Sequence, residues 1–254
     1  MDRKKAKQVV VIDDAPDVRK ILEINLKGKG FDVFTAEDGE KGLEIVRDEK
    51  IDLIILDVLM PRTDGFLFLK TLRNDPSIPD IPILMLTARA AMKDTFEAFN
   101  VDGFETKPIN MGAILEKVGQ LLQDKAMIVS DNGFVIDKVS PSLEKAGYEV
   151  HMVKNEAEMS EKGSKTRFKV IVVHLPFISM DPDQFVQALS GLRYRSPQVF
   201  IYCDSDVKGT ETNDTVVIDE IRVKWKKAGI EAFFDARLTG PSFMSLFKSW
   251  VGGA

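Results

Sequence analysis

One cysteine, Cys203, occurs in 254 residues, so no disulfide can form within the chain. That usage suits a reducing compartment. Basic residues are not in excess: 35 Lys and Arg against 40 Asp and Glu leave a net charge of −5. The electrostatic footprint of a direct nucleic-acid binder is therefore missing. Long apolar runs are missing too. The run Val9 to Ile12, behind the basic "MDRKKAK", stops at Asp13 and Asp14 and is far too short for a signal-peptide core or a membrane span. No G-x-G-x-x-G follows it, as a nucleotide-binding Rossmann turn requires. A soluble, cytoplasmic protein with no membrane partner is expected.

What is present is a regular alternation of short apolar runs with segments of helical period, the pattern of βα units around a parallel sheet. The length accommodates two ordinary domains. In the first half, strands are expected at 8–12, 31–36, 52–56, 82–86 and 103–105, and helices at 17–28, 40–48, 65–73, 90–100 and 111–123. The strands at 8–12 and 52–56 carry almost no polar residue, as strands covered on both faces should.

The second half repeats the first. At an offset of 117, the separation of Asp131 from Asp14, "VIDDAPDV" falls on "VSDNGFV", "GFDV" on "GYEV", Leu26 on Leu143 and Ile54 on Ile171. A period above 100 residues implies two duplicated domains rather than a solenoid. They are expected at 1–124 and 125–254, joined near Gln123 to Ala126 without a Gly/Pro-rich linker, which implies a restricted angle between them.

Polar groups stand at four strand ends of the first half: Asp13 and Asp14, Asp57, Thr87, and Lys107 followed by Pro108. In a parallel sheet these ends converge on the carboxyl edge, where open α/β folds place ligands. Three carboxylates gathered there repel at roughly 4 kcal/mol per pair at 4 Å and an effective dielectric of 20, so a cation is required among them. Mg²⁺ suits few carboxylates together with phosphate oxygens. Lys107 adds a mobile charge and Thr87 a hydroxyl, enough to clamp a phosphoryl group in transfer to Asp57, a carboxylate nucleophile.

The acidic pair Asp13 and Asp14, the loop "DVLMPRTDG" from Asp57 to Gly65, "LTAR" with Thr87, and "FETKP" with Phe104, Lys107 and Pro108 together resemble the receiver domain of two-component response regulators over residues 7–123. The resemblance implies a flavodoxin-like, doubly wound five-stranded parallel sheet with helices on both faces. It implies that Asp57 is the phosphoacceptor, that Asp14, Asp57 and the Leu59 backbone carbonyl bind Mg²⁺ with Asp13 assisting through water, and that Lys107, before a cis proline bond, pairs with the phosphate. Thr87 and Phe104 are implied as the switch pair, and the fourth helix, fifth strand and fifth helix as the output surface. A sensor histidine kinase or phosphotransfer protein would be the donor. The protein is then no enzyme beyond phosphorylation and dephosphorylation at its own Asp57.

At the equivalent positions of the second half stand Ser130 and Asp131 for the acidic pair, His174 for Asp57, Cys203 for Thr87, and Ala236, with Arg237 next, for Lys107. This half resembles a degenerate receiver with the fold kept and the chemistry lost. Its long polar loop 204–215 is expected to be mobile. A metal site built from His174, Asp131 and Cys203 lacks supporting ligand spacing, and His174 is read instead as filling a vacated acidic pocket. A docking or dimerisation module and a ligand sensor both remain open for it.

The sequence reading is a phosphorylation-controlled switch acting through a downstream protein partner or a homodimer, since no DNA-binding or catalytic output segment is expected to follow. Alternatives are a phosphate sink or relay intermediate, and a Mg²⁺-dependent phosphatase with an aspartyl nucleophile. The phosphatase is disfavoured because its acid–base aspartate position, two residues after Asp57, is Leu59.

Overall fold

The computed structural model describes residues 6–60, 65–88, 101–131, 133–175, 182–192, 197–203, 223, 226–227 and 232–235. The chain divides into two compact units, Met1–Gln123 and Asp124–Ala254.

The first unit runs β1 (Gln8–Ile12), α1 (Pro16–Gly28), β2 (Asp32–Ala36), α2 (Gly39–Asp48), β3 (Leu53–Asp57), α3 (Gly65–Asn74), β4 (Ile83–Thr87), β5 (Gly103–Thr106) and α4 (Met111–Leu122). The helix expected at 90–100 lies outside the described residues, apart from which each expected element is present within one or two residues of its bounds. All five strands are parallel in the order β2-β1-β3-β4-β5. This is the flavodoxin-like arrangement, with its switch point between β1 and β3.

Alternation along the strands divides the core into two layers. Val10, Ile12, Ile54 and Leu56 meet Val46 of α2 and Phe68 and Leu69 of α3 on one face. Val9, Val11, Leu53 and Ile55 meet Leu22 and Leu26 of α1 and Ile114 and Val118 of α4 on the other. Each such fully buried side chain contributes about 1.5–3 kcal/mol. The first strands read as unbroken apolar runs because both faces are covered. The ladder also runs one residue further than the apolar pattern. Asp57 pairs with Leu86 and Thr87 with Thr106, so both polar residues are the last members of their strands rather than loop residues after them.

The second unit has β6 (Lys125–Val129), α5 (Gly133–Lys145), β7 (Glu149–Val153), α6 (Glu156–Lys165), β8 (Val170–Leu175), α7 (Pro182–Ser190), β9 (Gln198–Cys203) and β10 (Ala232–Asp235). Its five parallel strands lie in the order β7-β6-β8-β9-β10, the same winding as in the first unit. The pairings Gln8↔Asp32 and Val9↔Leu53 reappear as Lys125↔Glu149 and Ala126↔Val170, each at the offset of 117. Gly30 and Gly147, also that far apart, both take a left-handed φ, +87° and +92°, which a side chain would strain. Asp38 caps α2 through the Lys41 N–H, and Asn155 caps α6 through the Glu158 N–H. The loop 204–215 lies outside the described residues.

Candidate functional site

The carboxyl ends of β1 and β3 carry Asp13 and Asp57, both buried, and beside them the exposed Asp14. The three carboxylates each offer an oxygen within 4.8 Å of the others. Asp13 is fixed by the turn that leads into α1: its N–H donates to the Ala36 carbonyl at 3.2 Å, and its Oδ1 accepts the Ala15 N–H at 2.9 Å. Asp57 Oδ1 accepts the Leu59 N–H at 3.1 Å. Fifty residues further along the chain, Lys107 Nζ donates to Asp57 Oδ2 at 2.6 Å and to Asp13 Oδ2 at 2.9 Å.

Burial pushes the Asp13 carboxyl above its ordinary range; the hydrogen bonds from Lys107 and Ala15 oppose the rise without cancelling it, and the Asp57 charge adds to it. Burial draws the Lys107 ammonium down, but its hydrogen bonds to Asp57 and Asp13 and their charges outweigh that effect and hold it above its ordinary value. The lysine therefore stays charged where a developing anion would meet it.

The Lys107 N–H donates to the Thr87 carbonyl at 2.9 Å, which brings the end of β5 alongside β4, and the Lys107–Pro108 peptide bond is cis. Thr87 is buried at the last position of β4. Phe104 is half-buried against the core layer that contains Met85 and Ile54. Lys117 of α4 donates to the Phe104 carbonyl and, at 2.6 Å, to the Glu105 carboxylate. The Leu59 side chain is exposed, while residues 61–64 and Arg89, which flank the pocket in sequence, lie outside the described residues. Three hard oxygen donors, one of them a buried carboxyl held unfavourably, fit a small divalent cation. Among the described residues no other group of three or more acidic, histidine or cysteine side chains comes together in this way.

At the same edge of the second sheet, buried Ser130 and His174 replace Asp13 and Asp57, with Ser130 Oγ 3.2 Å from His174 Nδ1. The register pairs His174 with Tyr202 and Leu175 with Cys203, as Asp57 pairs with Leu86, so Cys203 holds the position of Thr87. Asp235 is the last residue of β10, as Thr106 is of β5. The next residue in sequence, where Lys107 follows Thr106, is Ala236, which with Arg237 and the Cys203 side chain lies outside what the structure describes.

The family model of the response regulator receiver domain matches residues 9–119. The first unit is a response regulator receiver domain. Two curated relatives resemble the chain over 118 residues: the DNA-binding dual master transcriptional regulator RpaA of Synechocystis sp., 38% identical over 46% of this chain and 49% of that protein, and the heme response regulator HssR of Staphylococcus aureus, 33% identical over 46% and 51%. The chain spans about half the length of these relatives. Among solved structures, the chemotaxis protein CheY4 of Vibrio cholerae is 31% identical and matches 46% of this chain and 98% of its own, with a TM-score of 0.44.

The receiver domain thus brings Asp13, Asp14, Asp57 and Lys107 to one edge, with Thr87 and Phe104 on the adjoining strands. The sequence reading missed Arg19, whose guanidinium donates to the main-chain carbonyls of Asp13 and Asp14. An arginine one turn into the helix that follows an acidic pair was the available signal. Among the described residues no helix is long and apolar enough to cross a membrane.

Proposed function

We propose that the protein is a cytoplasmic response regulator whose receiver domain takes a phosphoryl group on Asp57 from a histidine kinase or phosphotransfer protein, and whose second unit is a receiver-like module without that chemistry. The observation that carries this reading is the bridging of Asp57 and Asp13 by Lys107 Nζ, 2.6 and 2.9 Å away, with Asp14 at the same edge. In the transfer, a bond forms between an Asp57 carboxylate oxygen and phosphorus while the phosphorus–nitrogen bond of the donor phosphohistidine breaks, and the imidazole leaves. Asp14, Asp57 and the Leu59 carbonyl would hold Mg²⁺, with Asp13 acting through water; when bound, the ion neutralises charge on the equatorial phosphoryl oxygens. Lys107 would exchange its carboxylate partners for the new phosphate. Thr87, the last residue of β4, would turn its hydroxyl toward that phosphate, and Phe104 would fill the space released.

The second unit supports a docking or dimerisation role, because its carboxylate, threonine and lysine positions carry His174, Cys203 and Ala236. The output is then a protein contact, with the net charge of −5 giving no basis for direct nucleic-acid binding by this chain.

Incubating the full chain with Mg²⁺ and acetyl phosphate, followed by intact mass measurement, tests the reading. A gain of one phosphoryl group that disappears in Asp57→Asn supports it. Steady release of inorganic phosphate with no adduct would favour an aspartyl phosphatase instead.

A further inference from the structure

Behind the acidic edge, one nitrogen of Arg19 makes two hydrogen bonds: Nη1 donates to the Asp13 carbonyl at 2.7 Å and to the Asp14 carbonyl at 3.0 Å. Those carbonyls belong to the two residues whose side chains face the cation position. Asp13 has further ties through Ala36 and Ala15. For exposed Asp14, the Arg19 bond is what grips the main chain from the helix side. Arg19 is itself anchored, because its N–H donates to the Ala15 carbonyl at 3.1 Å and opens α1. The guanidinium therefore closes a small ring of strand end, turn and first helical turn.

We propose that Arg19 is a positioning residue: by holding both carbonyls it fixes the directions of the Asp13 and Asp14 carboxylates and so sets the affinity of the edge for a divalent cation. This rests on the reading of the acidic cluster as the cation site. Two effects of Arg19 oppose each other in sign. Its positive charge, taken alone, repels a second cation, so removing it should tighten binding. Its grip preorganises the donors, so removing it should loosen binding, as loss of outer-shell partners does. The grip prevails on geometry, because the guanidinium hydrogen-bonds the two main-chain carbonyls, while Asp13 Oδ2 takes its hydrogen bond from Lys107.

The test uses the full chain. Mg²⁺ is titrated calorimetrically into wild type, Arg19→Gln and Arg19→Lys at one ionic strength, and phosphoryl uptake from acetyl phosphate is followed against Mg²⁺ concentration. Arg19→Gln is expected to weaken Mg²⁺ by about tenfold, the low end for lost outer-shell partners. The half-saturating Mg²⁺ for uptake should rise by the same factor while the rate at saturating Mg²⁺ is unchanged, a split that a general loss of structure would not produce. Arg19→Lys, which keeps the charge but ends its side chain short of the Nη1 position that reaches both carbonyls, should shift affinity in the same direction by a smaller factor. A folded Arg19→Gln that binds Mg²⁺ as tightly as wild type, or tighter, overturns the proposal. Should that variant not fold, unchanged affinity in Arg19→Lys does so. Absence of Mg²⁺ binding by wild type would overturn the cation-site reading itself, and the Arg19 proposal with it.

Discussion

The two units share a backbone plan and differ at the one edge where chemistry is expected. Asp13 and Asp57 are buried with Lys107 Nζ hydrogen-bonded to both; Ser130 and His174, 3.2 Å apart, stand in the same two places. A sheet edge of this kind does not need its carboxylates in order to fold. The register of β6, β7 and β8 matches that of β1, β2 and β3 although the polar residues at the strand ends have changed. The acidic cluster is therefore a cost to folding in the receiver domain, offset by Lys107, and the second unit does not carry it at Ser130 and His174.

Other exchanges between the units preserve packing rather than chemistry. Lys7 and Asp52 are 3.1 Å apart at the start of β1, and Asp124 and Lys169 form the same pair with the signs reversed at 3.4 Å. On α2, Gly42 precedes buried Val46, and a Cβ at Gly42 would fall 2.5 Å from Ile12 Cδ1. On α6 the sizes are reversed: Met159 is buried, and a Cβ at Gly163 would fall 2.2 Å from Leu192 Cδ2. Each helix keeps one small position for close approach to its neighbour and moves it by one turn.

The largest expected effect separates the units outright. Asp57→Asn should abolish phosphoryl uptake measured by intact mass, while His174→Ala should leave it unchanged; uptake that depends on His174 would break the comparison. Next, Ser130→Asp combined with His174→Asp places two carboxylates in the second unit without a lysine between them. The loss should be about 3–5 kcal/mol in urea unfolding at neutral pH, the usual cost of buried charge left unpaired. It should shrink as pH falls and the carboxyls take up protons.

A smaller contrast lies at Tyr148, which takes the place of Phe31. Burial, helped by the Asp124 charge, pushes its hydroxyl up to about 12. A folded-state value above the unfolded one favours the neutral form, so this contribution is complete below pH 10 and is lost as pH rises toward 12. Tyr148→Phe should remove an alkaline loss on the order of 2 kcal/mol, read from urea midpoints across that range. An unaltered alkaline profile would sink the assignment. The smallest effect belongs to the exchanged ion pairs. Lys7→Asp and Asp52→Lys should each destabilise slightly and together recover most of the loss, with a coupling below about 1 kcal/mol because the pair is partly solvated. A double-mutant cycle by thermal unfolding measures it.

Much of this was legible in the chain because both units are built from covered parallel strands. Apolar runs such as "QVVVI" and "DLIIL" announce themselves, and a polar residue at the end of such a run marks the sheet edge. The repeat was legible because Leu26 and Leu143, or Gly30 and Gly147, keep their spacing where the backbone demands a core contact or a left-handed turn. Less legible was where each ladder ends. Asp57 and Thr87 read as loop residues by polarity, yet hydrogen bonding between neighbouring strands holds them in the sheet.

The sequence by itself determined the α/β class, the strand order of elements along the chain, and the residue types brought to the first unit's carboxyl edge, since these follow from local periodicity and from the rule that parallel strands end together. Only the tertiary structure decided which members of that set touch. Lys107 lies 94 residues from Asp13, and its division between Asp13 and Asp57 depends on the packing of β5 beside β4. That Asp13 is buried while adjacent Asp14 is exposed depends on the turn into α1. Arg19 enters for the same reason: its place after the acidic pair is legible, but its target, main-chain carbonyl oxygen, is one that every residue carries, and the turn into α1 decides which it meets.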